Sequence, residues 1–367
     1  MILTDYSSIL HRMIAASIAN TKPKKVDGKY VTSEFINFTK YLILQELFTV
    51  QQQYKNKYGD LVICLDNSRD GYWRNDFYVG YKESRKKARE ESEVNFREVF
   101  AELNVFMDQI RNNLPWKVID VPKAEADDIM LVLAREFNPF EPILIHSPDK
   151  DMIQAQRNTD NVQQYSSLTK KWIVPETKGE TMDEWIREHV CLGDECDGVP
   201  KVVDHTEFSD NFLAYLKENG VALETPYEFK TSNLTLQQKR DLLDNYQVYR
   251  VNRKGEELDE KDVYKKIRFG PSTLKKQIEK YGSIDEWLDS HPLYRGHYNR
   301  NFTLVMEEGI PSDIWNEIII AFKEAKTDYN DQEFERYLKE NNLDSILMEL
   351  PNIFKITREL TADDFGW

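Results

Sequence analysis

The sequence predicts an α/β fold: a central, mostly parallel sheet flanked by helices, followed by a mainly helical second half. Two observations carry this. Short apolar runs alternate with stretches of helical spacing through the first half, the pattern of a parallel sheet with right-handed crossovers. Three of those runs also lead into aspartate: Ile2-Leu3-Thr4 before Asp5, Leu61-Val62-Ile63-Cys64-Leu65 before Asp66, and Pro142-Ile143-Leu144-Ile145-His146 before Asp149 and Asp151. Ligands of open sheets sit beyond the carboxyl ends of the strands, so the recurrence puts carboxylates where a ligand belongs.

Taken in order, the first strand and Asp5 are followed by a helical run from Ile9, and Asp27-Gly28 marks a turn. Residues 35–54 have helical spacing through Phe38, Leu42, Leu44 and Leu47. The run from Leu61 is apolar at five successive positions, as a strand covered on both faces requires. Residues 116–121 read as a further strand. They lead into a helix with Asp127 and Asp128 at its mouth and only apolar residues at 129–134, so its body must be buried. Residues 161–175 read as a hairpin continuing the sheet, and 182–192 as a helix. Gly193-Asp194-Glu195-Cys196-Asp197-Gly198 is a tight turn with glycine at each end. Residues 201–262 are charged and mixed, with no motif. Gly270-Pro271-Ser272-Thr273-Leu274-Lys275-Lys276 opens a helix whose first amides offer a phosphate site, and 313–325 and 332–347 are further helices.

Composition narrows the class. The chain has 367 residues, 40% of them hydrophobic and 12% aromatic, enough for two domains with a core in each. No stretch is long and apolar enough to span a bilayer, and Met1-Ile2-Leu3-Thr4-Asp5-Tyr6 lacks the basic and apolar regions of a secretory leader. Cys64, Cys191 and Cys196 lack paired metal spacing and read as reduced thiols. The expectation is a cytoplasmic monomer with no membrane partner. A net charge of -15 argues at first against a polyanionic partner. A metal-dependent nuclease, however, carries a block of acidic ligands and keeps its cations elsewhere.

Those cations are present. Lys82, Arg85, Lys86, Lys87 and Arg89 fall within eight residues, beside Tyr72, Trp73, Phe77, Tyr78 and Tyr81. Such a cluster suits a phosphate-backbone grip with aromatic stacking platforms, and equally a solvated helix face. The acids need a partner too, because carboxylates at close range raise each other's pKa and repel. Oxygen donors without a His or Cys cluster favour magnesium or manganese over zinc. From the residues alone, the reading reaches a metal-dependent enzyme acting on phosphate.

The blocks C-L-D-N-S-R-D-G-Y-W-R-N-D-F, Y-K-E-S-R-K-K-A-R-E-E-S, K-A-E-A-D-D, S-P-D-K-D and G-D-E-C-D-G-V-P resemble, in order and spacing, the 5'-nuclease or flap endonuclease superfamily. Within it they are most similar to the phage-type ribonuclease H group of T-even-type bacteriophages. The resemblance covers residues 2–354 and implies a flap endonuclease/PIN-like α/β fold. It implies a Mg2+-dependent 5' to 3' exonuclease and flap endonuclease on RNA–DNA hybrid and flap or nicked duplex DNA, removing RNA primers from lagging-strand fragments. Two magnesium ions, for which Mn2+ substitutes, would be held by Asp5, Asp66, Glu125, Asp127, Asp149, Asp151, Asp194 and Asp197, with Asp128 behind them. One ion would polarise the scissile phosphate and lower the pKa of a water, the other steady the leaving oxygen. Lys82 and Arg85 match the basic helix under the superfamily's arch and join Asp66, Asp127 and Asp149 as catalytic residues. Nucleic acid would be contacted by Tyr72, Trp73, Arg74, Lys82, Arg85, Lys86, Lys87 and Arg89, and by Gly270, Ser272, Thr273, Lys275 and Lys276. A modified helix-three-turn-helix is matched to 193–199 joined to 270–278.

The resemblance divides the chain into a catalytic domain at 1–190 with the arch at 72–100, and a DNA-binding domain at 191–354 with an insertion at 201–262. Residues 355–367 lie beyond the resemblance; acidic and ending in aromatics, they suit docking in a replication sliding clamp and equally a frayed terminus, and a single-stranded-DNA-binding protein is a further expected partner. Two alternatives share this pattern: a structure-specific endonuclease of the same fold in recombination or repair, and a catalytically inactive nucleic-acid-binding module.

Overall fold

The computed structural model describes residues 1–78, 80–174, 181–203, 269–327, 330–343 and 345–348, plus four short strands between 204 and 268. The tail at 355–367 lies outside the described residues, as does most of the 201–262 insertion. Two compact units are built from interleaved segments. One comprises Met1–Asp66, Glu91–Val174 and Asp313–Trp367, and the other Asn67–Glu90 and Pro175–Ser312.

The first unit holds a six-stranded sheet made of β1 (Ile2–Asp5), β4 (Leu61–Cys64), β5 (Lys117–Ile119), β6 (Ile143–His146), β7 (Val162–Ser166) and β8 (Lys171–Ile173), in the order β5-β4-β1-β6-β7-β8. Every pairing is parallel except β7 with β8, which form the hairpin expected at 161–175. Asp5 pairs with Cys64, and Thr4 with His146, so the carboxyl ends of β1, β4 and β6 lie at one edge of the sheet. β2 (Lys25–Val26) and β3 (Lys29–Tyr30) form a separate hairpin around Asp27-Gly28.

Alternation sorts the strand residues between two faces. Ile2, Leu61, Ile63 and Leu144 join one cluster with α1 (Tyr6–Thr21), α2 (Ile36–Tyr58) and α5 (Phe96–Asn113). On the opposite face α6 (Ala126–Phe137) packs against β1 and β4, and its run 129–134 is entirely buried, as its lack of a polar face demands. Phe334 and Leu338 of α12 (Asp331–Glu340) enter the first cluster, and Asn330 N donates to Asn113 O (3.1 Å), so the far end of the chain completes the core. The helix expected over 332–347 ends earlier, at Glu340. Asn342 there takes a left-handed φ of 55°, and a second short helical stretch begins at residue 345.

One partly buried charge group ties α1, α2 and the end of β6 together. Arg12 Nη2 donates to Glu46 Oε1 (2.9 Å), and His146 Nε2 lies 3.4 Å from the same oxygen. Burial alone would raise the Glu46 carboxyl, but hydrogen bonds with His146, Ser167 and Arg12 outweigh it, and the carboxyl falls to about 2 from 4.5. The stability this contributes is present above the unfolded value of 4.5 and is lost as pH falls through about 2. Glu46→Gln is therefore expected to cost about 1–3 kcal/mol at pH 7, with the gap to wild type closing as urea midpoints are followed from pH 5 to pH 2. A gap that stays constant over that range would contradict the assignment.

The second unit contains α3 (Trp73–Phe77), nearly all of α4 (Glu83–Glu91), α7 (Met182–Leu192), α8 (Pro271–Tyr281), α9 (Ile284–Asp289) and α10 (Pro292–Val305). β9 (Glu207–Phe208) pairs with β12 (Arg250–Val251), and β10 (Ala222–Leu223) with β11 (Phe229–Lys230). Leu274, Trp287, Leu288 and Tyr294 of α8 to α10 pack with Cys191 and Val202. Asn301 Nδ2 donates to Val190 O (3.0 Å) and Pro200 O (2.7 Å), fixing the end of α7 and the turn after it to α10. α11 (Ser312–Glu324) leads back into the first unit, where Lys117 Nζ donates to Phe322 O (2.7 Å).

Candidate functional site

Six of the expected metal ligands belong to the first unit, at the carboxyl edge of its sheet. Asp5 is the last residue of β1 and caps α1: its Oδ1 accepts from Ser8 N (3.0 Å), while Oδ2 accepts from Ser147 Oγ (3.0 Å). Asp66 follows β4; its Oδ1 accepts from Ala126 N (2.8 Å) at the start of α6, and its Oδ2 from Ser7 Oγ (2.5 Å). Glu125 and Asp127 therefore enter the cluster through the same backbone that Asp66 grips. Asp149 begins a 3-10 turn, Lys150–Gln156, and its Oδ1 accepts from Asp151 N (2.8 Å).

Asp127 and Asp128 differ in surroundings although adjacent in sequence. Asp128 is fully buried and its Oδ2 accepts from Glu125 N (2.9 Å), the reciprocal cap of a helix start. Asp127, one position earlier, is only half-buried.

The electrostatics are those of a crowded anionic site. The Asp5 carboxyl stands at about 6, raised from 3.8 chiefly by burial and also by the charges of Asp66 and Asp149, while hydrogen bonds from Ser8 and Ser147 hold it down. An all-oxygen donor set in which neighbouring charges oppose ionisation fits a hard divalent cation, which removes the repulsion and needs no His or Cys.

The structure adds residues that the sequence did not single out. Ser147 Oγ donates to Asp5 and accepts from Asp149 N (3.1 Å), linking β1 to the β6 loop. Gln164 is fully buried on β7, and its Nε2 donates to Ser147 O (3.0 Å) and Asp149 O (2.5 Å). Ser147 sits inside the S-P-D-K-D block, so its place beside the acids was visible. Gln164 carries no such signal, apart from being a polar residue in a buried strand.

Asp194 and Asp197 lie in the second unit, in the turn after α7. Asp194 Oδ1 accepts from Cys196 N (2.8 Å) and Asp197 N (3.3 Å), and Gly193 and Gly198 take φ of 64° and 72°, which glycine reaches without strain. Lys82 and Arg85 stand at the start of α4 in the same unit, both ion-paired with Asp197. Tyr72, Trp73 and Arg74 are buried rather than displayed. Arg74 Nε donates to Leu304 O (2.6 Å), and its guanidinium lies over the rings of Trp73 (4.4 Å) and Tyr81 (5.6 Å). These three build the base of the segment and offer no free face for a base to stack on. Arg89 is exposed, and the side chains of Lys86 and Lys87 lie outside the described residues. Ser272, Thr273, Lys275 and Lys276 are exposed around the first turns of α8, which begins at Gly270-Pro271.

The family described as 5'-3' exonuclease, N-terminal resolvase-like domain, matches residues 1–186. Ribonuclease H of Enterobacteria phage T4 is 34% identical over 175 residues, which are 47% of this chain and 56% of that protein. A 5'-3' exonuclease of Mycoplasmopsis pulmonis (strain UAB CTIP) is 27% identical over 139 residues, 35% of this chain and 43% of the relative. The chain thus spans about half the length of the curated relatives it matches. Among solved structures, the T5 D15 protein co-crystallised with metal ions covers 96% of this chain and 98% of its own, at 12% identity and a TM-score of 0.46. The match over 1–186 takes in β1, β4, β6 and α6 with their six acids, and the chain belongs to this 5'-3' exonuclease family.

Proposed function

We propose that this protein is a divalent-metal-dependent 5' to 3' exonuclease and flap endonuclease acting on RNA–DNA hybrid and on flap or nicked duplex DNA, and that it removes RNA primers from lagging-strand fragments. The observation that carries the reading is the convergence of three parallel strand ends and the mouth of α6, which brings Asp5, Asp66, Glu125, Asp127, Asp149 and Asp151 to one sheet edge. Membership of the exonuclease family supports it.

Magnesium, or manganese in its place, bound by these acids would polarise the scissile phosphate and lower the pKa of the attacking water. Two ions are proposed, because six carboxylates exceed what one octahedral ion accepts from protein. The protein's own residues do the holding. Ser7, Ser147 and Gln164 orient Asp66, Asp5 and the Asp149 loop, so the acids keep their positions despite mutual repulsion. Lys82 and Arg85 would neutralise charge building on the phosphate, and Arg89 with the exposed start of α8 would grip the sugar-phosphate backbone. A sliding clamp and a single-stranded-DNA-binding protein are proposed as partners at the replication fork. No helix among the described residues is long and apolar enough to cross a membrane.

The test is cleavage of a 5'-labelled RNA–DNA hybrid and of a 5'-flap duplex, each with magnesium and with chelator. Short 5' products that appear only with magnesium are the expected result. Intact substrate under both conditions, with binding retained, would leave a nucleic-acid-binding module instead. Cleavage confined to branched junctions would favour a recombination or repair endonuclease.

A further inference from the structure

The aromatic and basic platform expected at Tyr72-Trp73-Arg74 is packed inside, but the first unit displays another one on its sheet. We propose that the β7–β8 hairpin is a stacking platform for an unpaired stretch of nucleic acid beside the acidic edge, with the Trp172 indole as the base contact; the inference rests on the nuclease reading above. Trp172 is 46% exposed, with Leu168 (62%) and Val174 (44%) on either side of it. Three of the eight large apolar side chains exposed among the described residues thus fall on one short hairpin, and a concentration of that kind marks a contact surface.

The indole is held in place. Trp172 stands opposite Tyr165 across the hairpin, and its ring meets those of Tyr165 (5.3 Å, 61°) and of Tyr54 on α2 (5.7 Å, 76°), both edge-on. The hairpin itself is tied down at three points. Ser167 hydrogen-bonds Glu46, Ser166 Oγ accepts from Thr169 N (3.2 Å), and Gln156 Nε2 donates to Ile173 O (3.0 Å). A ring fixed in this way gives up little freedom when a base lies on it.

The sheet puts this surface next to the acids. β7 runs parallel to β6 with Tyr165 opposite His146, so β7 also ends at the edge where Asp149 and Asp151 follow β6. The turn at 167–170 leaves the sheet there, and β8 stands two strand spacings, about 10 Å, from β6. Charge selects the occupant. Lys170 is exposed in the turn, and Lys57 of α2 is exposed on the Tyr165 side of the sheet, where its Nζ donates to Gln163 Oε1 (2.7 Å). The acid within α2, Glu46, is held by Arg12, His146 and Ser167, and the one just after it, Asp60, lies 3.5 Å from Lys55 Nζ. Cations beside a half-exposed indole suit phosphates and a base together. A peptide strand fits less well, because β8 is three residues long and Ile173 O already accepts from Gln156. Lys171 alternates to the opposite face from Trp172 and provides an internal control of equal charge.

Binding of the full chain to a labelled oligothymidylate, a 5'-flap duplex and a blunt duplex, all in chelator, tests this. Trp172→Ala is expected to weaken binding of the first two by about tenfold and of the blunt duplex by less than about twofold. Trp172→Phe should keep most of the affinity, and Trp172→Leu, equally apolar but without a π-face, should not. That pair carries the comparison if the alanine variant does not fold. On the oligothymidylate, Lys170→Ala should lower the slope of log Kd against log salt by about 0.7, and Lys171→Ala should leave it unchanged. Equal affinity of Trp172→Phe and Trp172→Leu, an equal loss on the blunt duplex, or equal slopes for the two lysine variants would overturn the proposal, as would a wild type that binds neither unpaired probe. Cleavage with magnesium is followed in parallel. Binding through Trp172 without cleavage would leave the platform standing and remove the nuclease reading; cleavage with binding indifferent to Trp172 would do the reverse.

Discussion

Asp149→Ala is expected to abolish cleavage of hybrid and flap substrates, by on the order of a thousandfold or more, while the metal-free protein keeps its fold. Two local effects of the substitution oppose each other. Asp149 starts the 3-10 turn and its Oδ1 accepts from Asp151 N, a cap worth about 1 kcal/mol. Its charge also raises the Asp5 carboxyl, so removing it relieves repulsion inside a buried cluster. Burial and Asp66 act on Asp5 more strongly than Asp149 does, so the relief is partial and offsets only part of the lost cap. The melting temperature in chelator should therefore stay within a few degrees of wild type. Addition of magnesium should stabilise the wild type by mass action and the variant much less. Wild-type turnover in the variant would remove Asp149 from the metal site. An unfolded variant would show instead that the cap, not the repulsion, dominates.

Asp127→Ala makes the complementary case. Asp127 sits in the first turn of α6 but does not cap it, because Asp128 Oδ2 already accepts from Glu125 N. The same loss of cleavage is expected with an even smaller change in metal-free stability. Asp128→Ala reverses the order, costing stability first, because it removes a buried cap.

The catalytic half of the fold was legible because its signals are local. Parallel strands covered on both faces read as unbroken apolar runs, and Leu61 to Cys64 and Ile143 to His146 are buried throughout. The acids followed from their position just beyond those runs. Helix α5 lies outside the sequence-based expectations although Val99, Leu103, Phe106 and Ile110 recur at helical spacing and are buried, because its exposed face continues the charged composition of the block before it. What the sequence hides is contact over distance. Ser147 reaches Asp5 across 142 positions, and Arg74 reaches Leu304 across 230. The second contact explains why Tyr72-Trp73-Arg74 resembles an exposed aromatic and basic platform in sequence and is packed inside in the structure. The return of Phe334 and Leu338 to the core of the first unit is likewise invisible in a linear reading, since nothing in α12 names its partner.

Lys82→Ala is expected to slow cleavage by about a hundredfold while weakening binding of a hybrid or flap duplex only a few-fold. The asymmetry follows from what a single ammonium can do in each step. In binding, it is one of several phosphate contacts, and its loss should reduce the salt dependence of log Kd by about one counterion. In the reaction, charge accumulates on one phosphate, and a cation fixed beside it acts without reorganising. Lys82 is so fixed: Asp197, Tyr72 and Tyr81 surround its ammonium, and its backbone is held by Asp197 O. A lysine free in solvent would lose the same binding contact and far less of the rate. Arg85→Ala should therefore fall between the two, with a smaller loss of turnover, because its side chain is 44% exposed and its charge is better screened. Single-turnover rates and binding constants measured at two salt concentrations separate the steps. Equal losses in rate and affinity for Lys82→Ala would make it a backbone grip and no more, and the electrostatic role would pass to Arg85.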